Sequence, residues 1–265
     1  MTAEKSIAIV LRVVDFSETS AVVTMMTRDF GKITALAKGA RRPKGPFEAA
    51  LDVLSICRVV FLRKSGDSLH LLTEAKLERR FRTASTDLSR LYAAYYVAEL
   101  LNKLTDDLDL HIELFDLAED TLTRLDQDHS SEDGLSERLL LRFQLRSLDL
   151  LGHMPSFDQC VECGKPAATE NESGKRIPFG LDSGGVFCTR CRVGKRFIVS
   201  LSRDAATVLT QYSNPDDNWS ENLKSNPPMG EMRGLIDQYL TYLLGKKPRM
   251  VEFLQGKQSF RKSVR

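Results

Sequence analysis

The hydrophobic pattern of this chain changes period near residue 84. Before that point, apolar residues come in short β-branched runs separated by turn residues, a pattern that predicts strands. Residues 6–14 (Ser-Ile-Ala-Ile-Val-Leu-Arg-Val-Val), 21–27 and the alternating 32–38 predict three of them. Asp15-Phe-Ser-Glu-Thr-Ser is a turn, and Arg28-Asp-Phe-Gly-Lys is a tight connection in which Gly31 supplies the backbone freedom. A long loop follows Gly39, and residues 55–63 and 68–76 predict two more strands joined through Lys64-Ser-Gly-Asp67. Five short strands without a long helix between them predict a small barrel, and the charge described below points to an OB-fold.

Beyond residue 84 the spacing is that of amphipathic helices. Leu88, Leu91, Tyr92, Tyr95, Tyr96, Leu100 and Leu104 predict one ending near Asp106, and 114–125 and 135–151 predict two more. Residues 201–212 and 232–244 predict the last two, on either side of a polar loop carrying Trp219. Tyrosines at helical spacing belong in a core, so Tyr92, Tyr95 and Tyr96 are expected there and not on a stacking platform. The fold class is therefore α+β. An N-terminal barrel domain spans 1–80, and a helical domain spans 81–265 with a metal module at about 157–195.

That module is marked by Cys160-Val-Glu-Cys163 and Cys188-Thr-Arg-Cys191. Two residues inside each pair let both sulfurs face one point, and four thiolates make a closed tetrahedral Zn²⁺ site with no position left for substrate. The intervening 164–187 is longer than usual, which a metal tolerates because loop closure costs only weakly with length. Gly164, Gly184 and Gly185 fit tight turns around a metal. Two unrelated buried cysteine pairs, iron in place of zinc, and redox use of a single pair are the alternatives. Cys57, in an apolar run, is expected to be a small core residue.

Composition is ordinary for a soluble globular protein, with 42% hydrophobic and 28% charged residues. The N-terminal apolar run is broken at Arg12, too early for a signal peptide or membrane span. Cysteines in metal-ligand spacing fit a reducing cytoplasm. The net charge of +2 conceals an uneven distribution. Residues 1–83 carry an excess of +6, residues 84–150 one of −9, and residues 151–265 one of +5. A basic first domain suggests a polyanionic partner.

No phosphate-cradling glycine loop, Gly-x-Ser-x-Gly or His-Glu-x-x-His occurs, and His70, His111, His129 and His153 are scattered. His153 is the only one near the metal module, and four cysteines suffice without it. No catalytic constellation emerges, so an enzyme is not expected. The positive signal is Lys38-Gly-Ala-Arg41-Arg42-Pro-Lys44, a loop with four cations and no acid. Such a loop can wrap a phosphodiester backbone, where counterion release supplies the affinity. Arg28, Lys32, Arg63 and Lys64 lie at other strand ends, and Lys76, Arg79, Arg80 and Arg82 crowd the exit to the helices. Phe16, Phe30 and Phe47 are the candidate aromatics for base stacking.

The stretch from Asp15-Phe-Ser-Glu-Thr-Ser through Thr27-Arg-Asp-Phe-Gly-Lys to Ala37-Lys-Gly-Ala-Arg-Arg resembles the N-terminal signature of the RecO recombination-mediator family. The order of barrel, helices, four-cysteine module and final helices is also similar over nearly the whole length. The resemblance implies a DNA-repair protein of the bacterial cytoplasm, nucleoid-associated, with an N-terminal OB-fold and no membrane role. It implies binding of single- and double-stranded DNA, annealing of complementary strands, and work with RecR. It further implies help for RecA in replacing single-stranded-DNA-binding protein, whose acidic C-terminal tail the helices would capture through one of Arg124, Arg138, Arg142 or Arg146. DNA contacts would fall on Arg28, Lys32, Lys38, Arg41, Arg42 and Lys44. Because some relatives lack the cysteines, the metal would be scaffolding; the long polar 164–187 is a departure. The rival expectations are a protein–protein adaptor working through the acidic helices and, less compatible with a closed metal site, a zinc-dependent nucleic-acid enzyme.

Overall fold

The computed structural model describes residues 2–42, 47, 50–64, 69–82, 87–127, 134–167, 176–213 and 227–254. By compactness the chain divides into Met1–Ser131 with Glu252–Arg265, and Glu132–Val251.

In the first unit, β1 (Ala3–Asp15), β2 (Ala21–Thr27), β3 (Gly31–Ala37), β4 (Ile56–Leu62) and β5 (His70–Arg79) close a barrel in the order β1-β2-β3-β5-β4. One long strand closes it by working twice. The first part of β1 pairs with β4, from Ala3 opposite Leu62 to Ile9 opposite Ile56. Its second part pairs with β2, ending at Asp15 opposite Ala21. A register shift between Val10 and Arg12 bends the strand between the two partners. Alternation fails there, and Ala8 through Leu11 are all buried, which is why this run looks uniformly apolar in sequence. The last seam is parallel, Ala35 to Ala37 alongside His70 to Leu72.

The barrel interior is filled by residues including Val10, Val23, Met25, Ile33, Val59, Phe61 and Leu72. Phe30 packs edge-on to Phe61 with ring centroids 5.4 Å apart, and Phe47 is buried in the same core. Phe47 is therefore not available to a base, which corrects the stacking expectation for it, while Phe30 is partly buried with its ring turned onto Phe61. Only Phe16 of the three is exposed, at 64%. Cys57 is the core residue expected: its Sγ lies 2.8 Å from the carbonyl of Ala50, and burial pushes its thiol up to about 12.

Two helices follow in this unit, α1 (Leu88–Leu104) and α2 (Ile112–Gln127). Asp87 caps α1, accepting from the N–H groups of Ser89 at 2.8 Å and Arg90 at 3.3 Å. Tyr96 is fully buried, as its spacing predicts; Tyr95 is exposed, and Tyr92 packs on Phe253 at 5.6 Å.

The second unit holds α3 (Leu135–Leu150), a three-stranded sheet of β6 (Ile177–Gly180), β7 (Gly185–Val186) and β8 (Ile198–Leu201), then α4 (Arg203–Tyr212) and α5 (Met229–Leu243). Two polar groups of its interior are paired: Arg142 donates to the carbonyl of Tyr212 at 2.7 Å, and Gln144 donates to Asp237 at 3.1 Å. Ser202 caps α4 and also donates to Glu231 at 2.5 Å, tying the start of α4 to α5. Phe179 joins sheet to helix, stacked on Phe157 at 6.0 Å and edge-on to Tyr239 at 6.0 Å. No helix among the described residues is long and apolar enough to cross a membrane.

Candidate nucleic-acid interface and metal centre

Barrel topology separates the basic residues into two groups. The β2–β3 turn carries Arg28 and the start of β3 carries Lys32, beside Gly31, and both cations are engaged by the helices that follow the barrel. Arg28 grips Asp116 of α2 with two donors, Nε at 2.8 Å and an Nη at 3.0 Å, and this pairing raises its pKa. Lys32 is only 12% exposed at its side chain and donates to the carbonyls of Asn102 at 3.0 Å and Thr105 at 2.5 Å. It thus caps the C-terminus of α1, where orphan carbonyls and the helix dipole both favour a cation. The backbone adds to this anchor, since Leu108 donates to the carbonyl of Lys32 at 2.7 Å.

Lys32→Met should therefore destabilise the first unit by about 1–3 kcal/mol, because it leaves partly buried carbonyls without a donor. Urea unfolding checks this, and a change within error would mean water replaces the ammonium at no cost.

The second group sits where β3 leaves the barrel. Lys38, Arg41 and Arg42 are exposed there, against the β1–β2 turn, whose Thr19 carbonyl accepts from Arg41 N–H at 3.1 Å. Arg42 N–H closes a tight turn onto the carbonyl of Gly39 at 3.1 Å, and Gly39 has φ 78°. Among the described residues no carboxylate pairs with Lys38 or Arg42. Arg41 reaches Asp15 at 3.1 Å across a surface where both side chains are about half exposed or more. Such a pair is worth less than about 1 kcal/mol and exchanges readily for a phosphate. Phe16 stands exposed on the same β1–β2 turn. Lys44 lies outside the described residues.

The remaining basic positions are structural or peripheral. Arg79 pairs with Glu119 and Arg80 with Asp52. His70 is buried beside Phe61 and accepts from Lys64 N–H at 3.2 Å; burial, then Arg63, lowers its pKa. Of the four arginines considered for an acidic tail, Arg142 is buried, Arg146 pairs with Asp149 and Arg124 with Asp120.

The four cysteines come together as their spacing predicts, with all four Sγ atoms within 4.8 Å of one another and Cys163 Sγ 3.9 Å from Cys188 Sγ. Tetrahedral thiolates at about 2.3 Å from zinc would lie about 3.8 Å apart, so the cluster fits such an ion. Two turns build it. Gly164 N–H donates to the carbonyl of Cys160 at 2.8 Å with Gly164 at φ 70°, and Arg192 N–H donates to the carbonyl of Cys188 at 3.2 Å. Burial pushes the Cys160 thiol up, but hydrogen bonds from the backbone of Cys188, Cys163 and Glu162 outweigh it and bring it down to about 6, which favours the thiolate a metal needs. Gly185 is required for packing: a Cβ there would fall 2.4 Å from Val161 and 2.9 Å from the carbonyl of Ser156. Among the described residues no histidine joins the cluster; the carbonyl of His153 accepts from Tyr239 at 3.0 Å.

Residues 1–81 match the family profile Recombination protein O N terminal, and residues 85–251 match Recombination protein O C terminal. The chain belongs to the recombination protein O family. It is 43% identical to a DNA repair protein RecO from Rhodopirellula baltica over 94% of this chain and 98% of that protein. It is 33% identical to the DNA repair protein RecO of Myxococcus xanthus, over 93% of this chain and 95% of that one. The resemblance read from the Phe-Gly-Lys turn and the Lys-Gly-Ala-Arg-Arg segment therefore holds across both parts of the chain.

Sequence reasoning missed what neutralises the β2–β3 turn. Asp116 and the end of α1 were visible only as part of the acidic excess of residues 84–150.

Proposed function

We propose that this protein is a non-enzymatic DNA-repair and recombination mediator whose barrel is an OB-fold that binds DNA through charge. The observation that carries the proposal is the exposed, largely unneutralised group Lys38, Arg41 and Arg42 beside the β1–β2 turn. Arg28 and Lys32, at the other end of β3, are read as anchors of the barrel to α1 and α2, not as contacts of the strand. Lys44 follows Arg42 by two residues in the sequence. Phe16 offers one ring on which a base can stack, so single strands gain slightly over duplex.

Annealing of complementary strands needs no covalent step on this account. A cationic rim lowers the repulsion between two phosphate backbones, and base pairing supplies the specificity. In this reading the metal centre holds zinc on Cys160, Cys163, Cys188 and Cys191. The ion's chemistry is purely structural, since four thiolates leave no open position. Family membership supports a cytoplasmic role at the nucleoid with RecR, the tail of single-stranded-DNA-binding protein, and RecA as the eventual beneficiary.

The test is Lys38→Ala/Arg41→Ala/Arg42→Ala measured by fluorescence anisotropy on a mixed-sequence 30-mer. Affinity at physiological salt should fall about 10- to 100-fold with the melting temperature unchanged. Wild-type affinity in the triple variant would remove this rim from the account. No binding by the wild-type chain, even in dilute buffer, would favour an adaptor working through the acidic helices.

A further inference from the structure

The second unit carries an exposed aromatic pair that packing does not explain. Phe197 is 60% exposed and Tyr242 43%, and their rings lie 5.6 Å apart at an interplanar angle of 52°. Phe197 also adopts a left-handed backbone, with φ 52°. That conformation is costly for a bulky residue and cheap for glycine or asparagine. Its backbone role, accepting from Leu181 N–H at 3.0 Å, needs no side chain at all. Leu54 and Leu108 share the conformation; Leu54 is buried in the core, and Leu108, in the first unit, is 40% exposed. At Phe197 a strained backbone presents an aromatic ring to solvent.

The neighbouring sequence is cationic. Arg196 precedes the ring directly, Arg190 and Arg192 flank the last metal ligand, and Lys246 and Lys247 follow the end of α5 just beyond Tyr242. All five are exposed, and among the described residues none has a carboxylate partner. Lys195 is different, being held by Glu162 at 2.5 Å over the ring of Phe187. Asp182 is the acid nearest in sequence to the backbone contact made by Leu181. Val193, four residues before Phe197 in the chain, is 80% exposed and apolar.

We infer that Phe197 and Tyr242, with Arg196, Lys246 and Lys247, form a second single-stranded nucleic-acid site, in which bases stack on the ring pair and the cations hold the backbone. Exposed aromatics interleaved with unpaired cations are what sequence-independent recognition of unstacked bases requires. Duplex DNA offers its phosphates but not its base faces, so the site discriminates for single strands. The inference extends the proposed DNA-binding function to the second unit. One chain then holds nucleic acid on two separate surfaces, one dominated by charge and the other by stacking.

The experiment compares full-length wild type, Phe197→Ala/Tyr242→Ala, Phe197→Trp and the barrel triple variant on a poly(dT) oligonucleotide and on a blunt duplex. The double variant should lose about tenfold in single-strand affinity with duplex affinity and salt slope unchanged, and Phe197→Trp should bind the single strand at least as tightly as wild type. Photocrosslinking to 5-iodouracil should label the peptide containing Phe197 or Tyr242. Wild-type single-strand binding by the double variant, or an equal loss on duplex, overturns the site. If the barrel variant loses binding in that case, the proposed function stands alone. A double variant that binds DNA normally but loses binding to an Asp-rich peptide would assign the pair to an acidic protein partner instead, and also overturns the inference.

Discussion

Cys160→Ser/Cys163→Ser is expected to abolish metal retention and to unfold the metal module while leaving the barrel intact. Structural zinc sites contribute an apparent binding free energy of about 10–16 kcal/mol at neutral pH, and that energy is folding energy where no site pre-exists. Here β7 is two residues long and β6 and β8 are four each, too little sheet to persist unaided. Phe157, Phe179 and Phe187 provide an apolar seat, but the turns at 160–164 and 188–192 are held by few backbone hydrogen bonds, Gly164 to Cys160 and Arg192 to Cys188 among them, and the proposed metal adds the remaining closure. Zinc measured by atomic emission should fall to background in the variant. Amide exchange should accelerate at Val161, Val186 and Phe187 and not at Val23 or Met25. A metal-free variant with wild-type protection throughout would show that the hydrophobic seat alone holds the module.

Gly31→Ala should be the most damaging small substitution in the barrel. The residue has φ 70°, and a Cβ would lie 2.0 Å from the carbonyl oxygen of Asp109. Both the left-handed backbone and the collision must be relieved, and the neighbour is backbone that cannot swing aside. The combined cost is about 3–5 kcal/mol. Gly152 supplies the control, with φ 74° and nothing within 4 Å of its would-be Cβ. Gly152→Ala should cost only about 1 kcal/mol, the conformational part alone. Equal losses in urea unfolding would mean that the loop at 107–109 moves away freely.

These two positions show what the sequence made legible. The barrel strands and the five helices were readable to within a few residues because periods of 2 and 3.6 are local properties. Gly31 was readable as a turn glycine. The approach of Asp109 was not, because it joins parts of the chain nearly eighty residues apart. The Cys-x-x-Cys pairs announced their cluster through ligand chemistry, which outranks local propensity. The sheet of β6 to β8 had no periodic signal, being built from two- and four-residue strands. The basic residues were legible as a set but not as two groups. Strand connectivity sends Arg28 and Lys32 toward α1 and α2 while Lys38, Arg41 and Arg42 face solvent. Of the stacking candidates, Phe47 turns inward and plugs the barrel, and Phe30 packs partly buried against the same core, a direction that loop aromatics often take and that local pattern does not encode.

Charge as the source of DNA affinity is tested most directly by the salt dependence of binding. For a mixed-sequence single strand, log affinity should fall linearly with log salt. Removing Lys38, Arg41 and Arg42 should lower the slope by about 2, at about 0.7 for each phosphate no longer neutralised. A slope identical in wild type and triple variant, or an affinity indifferent to salt, would contradict the account.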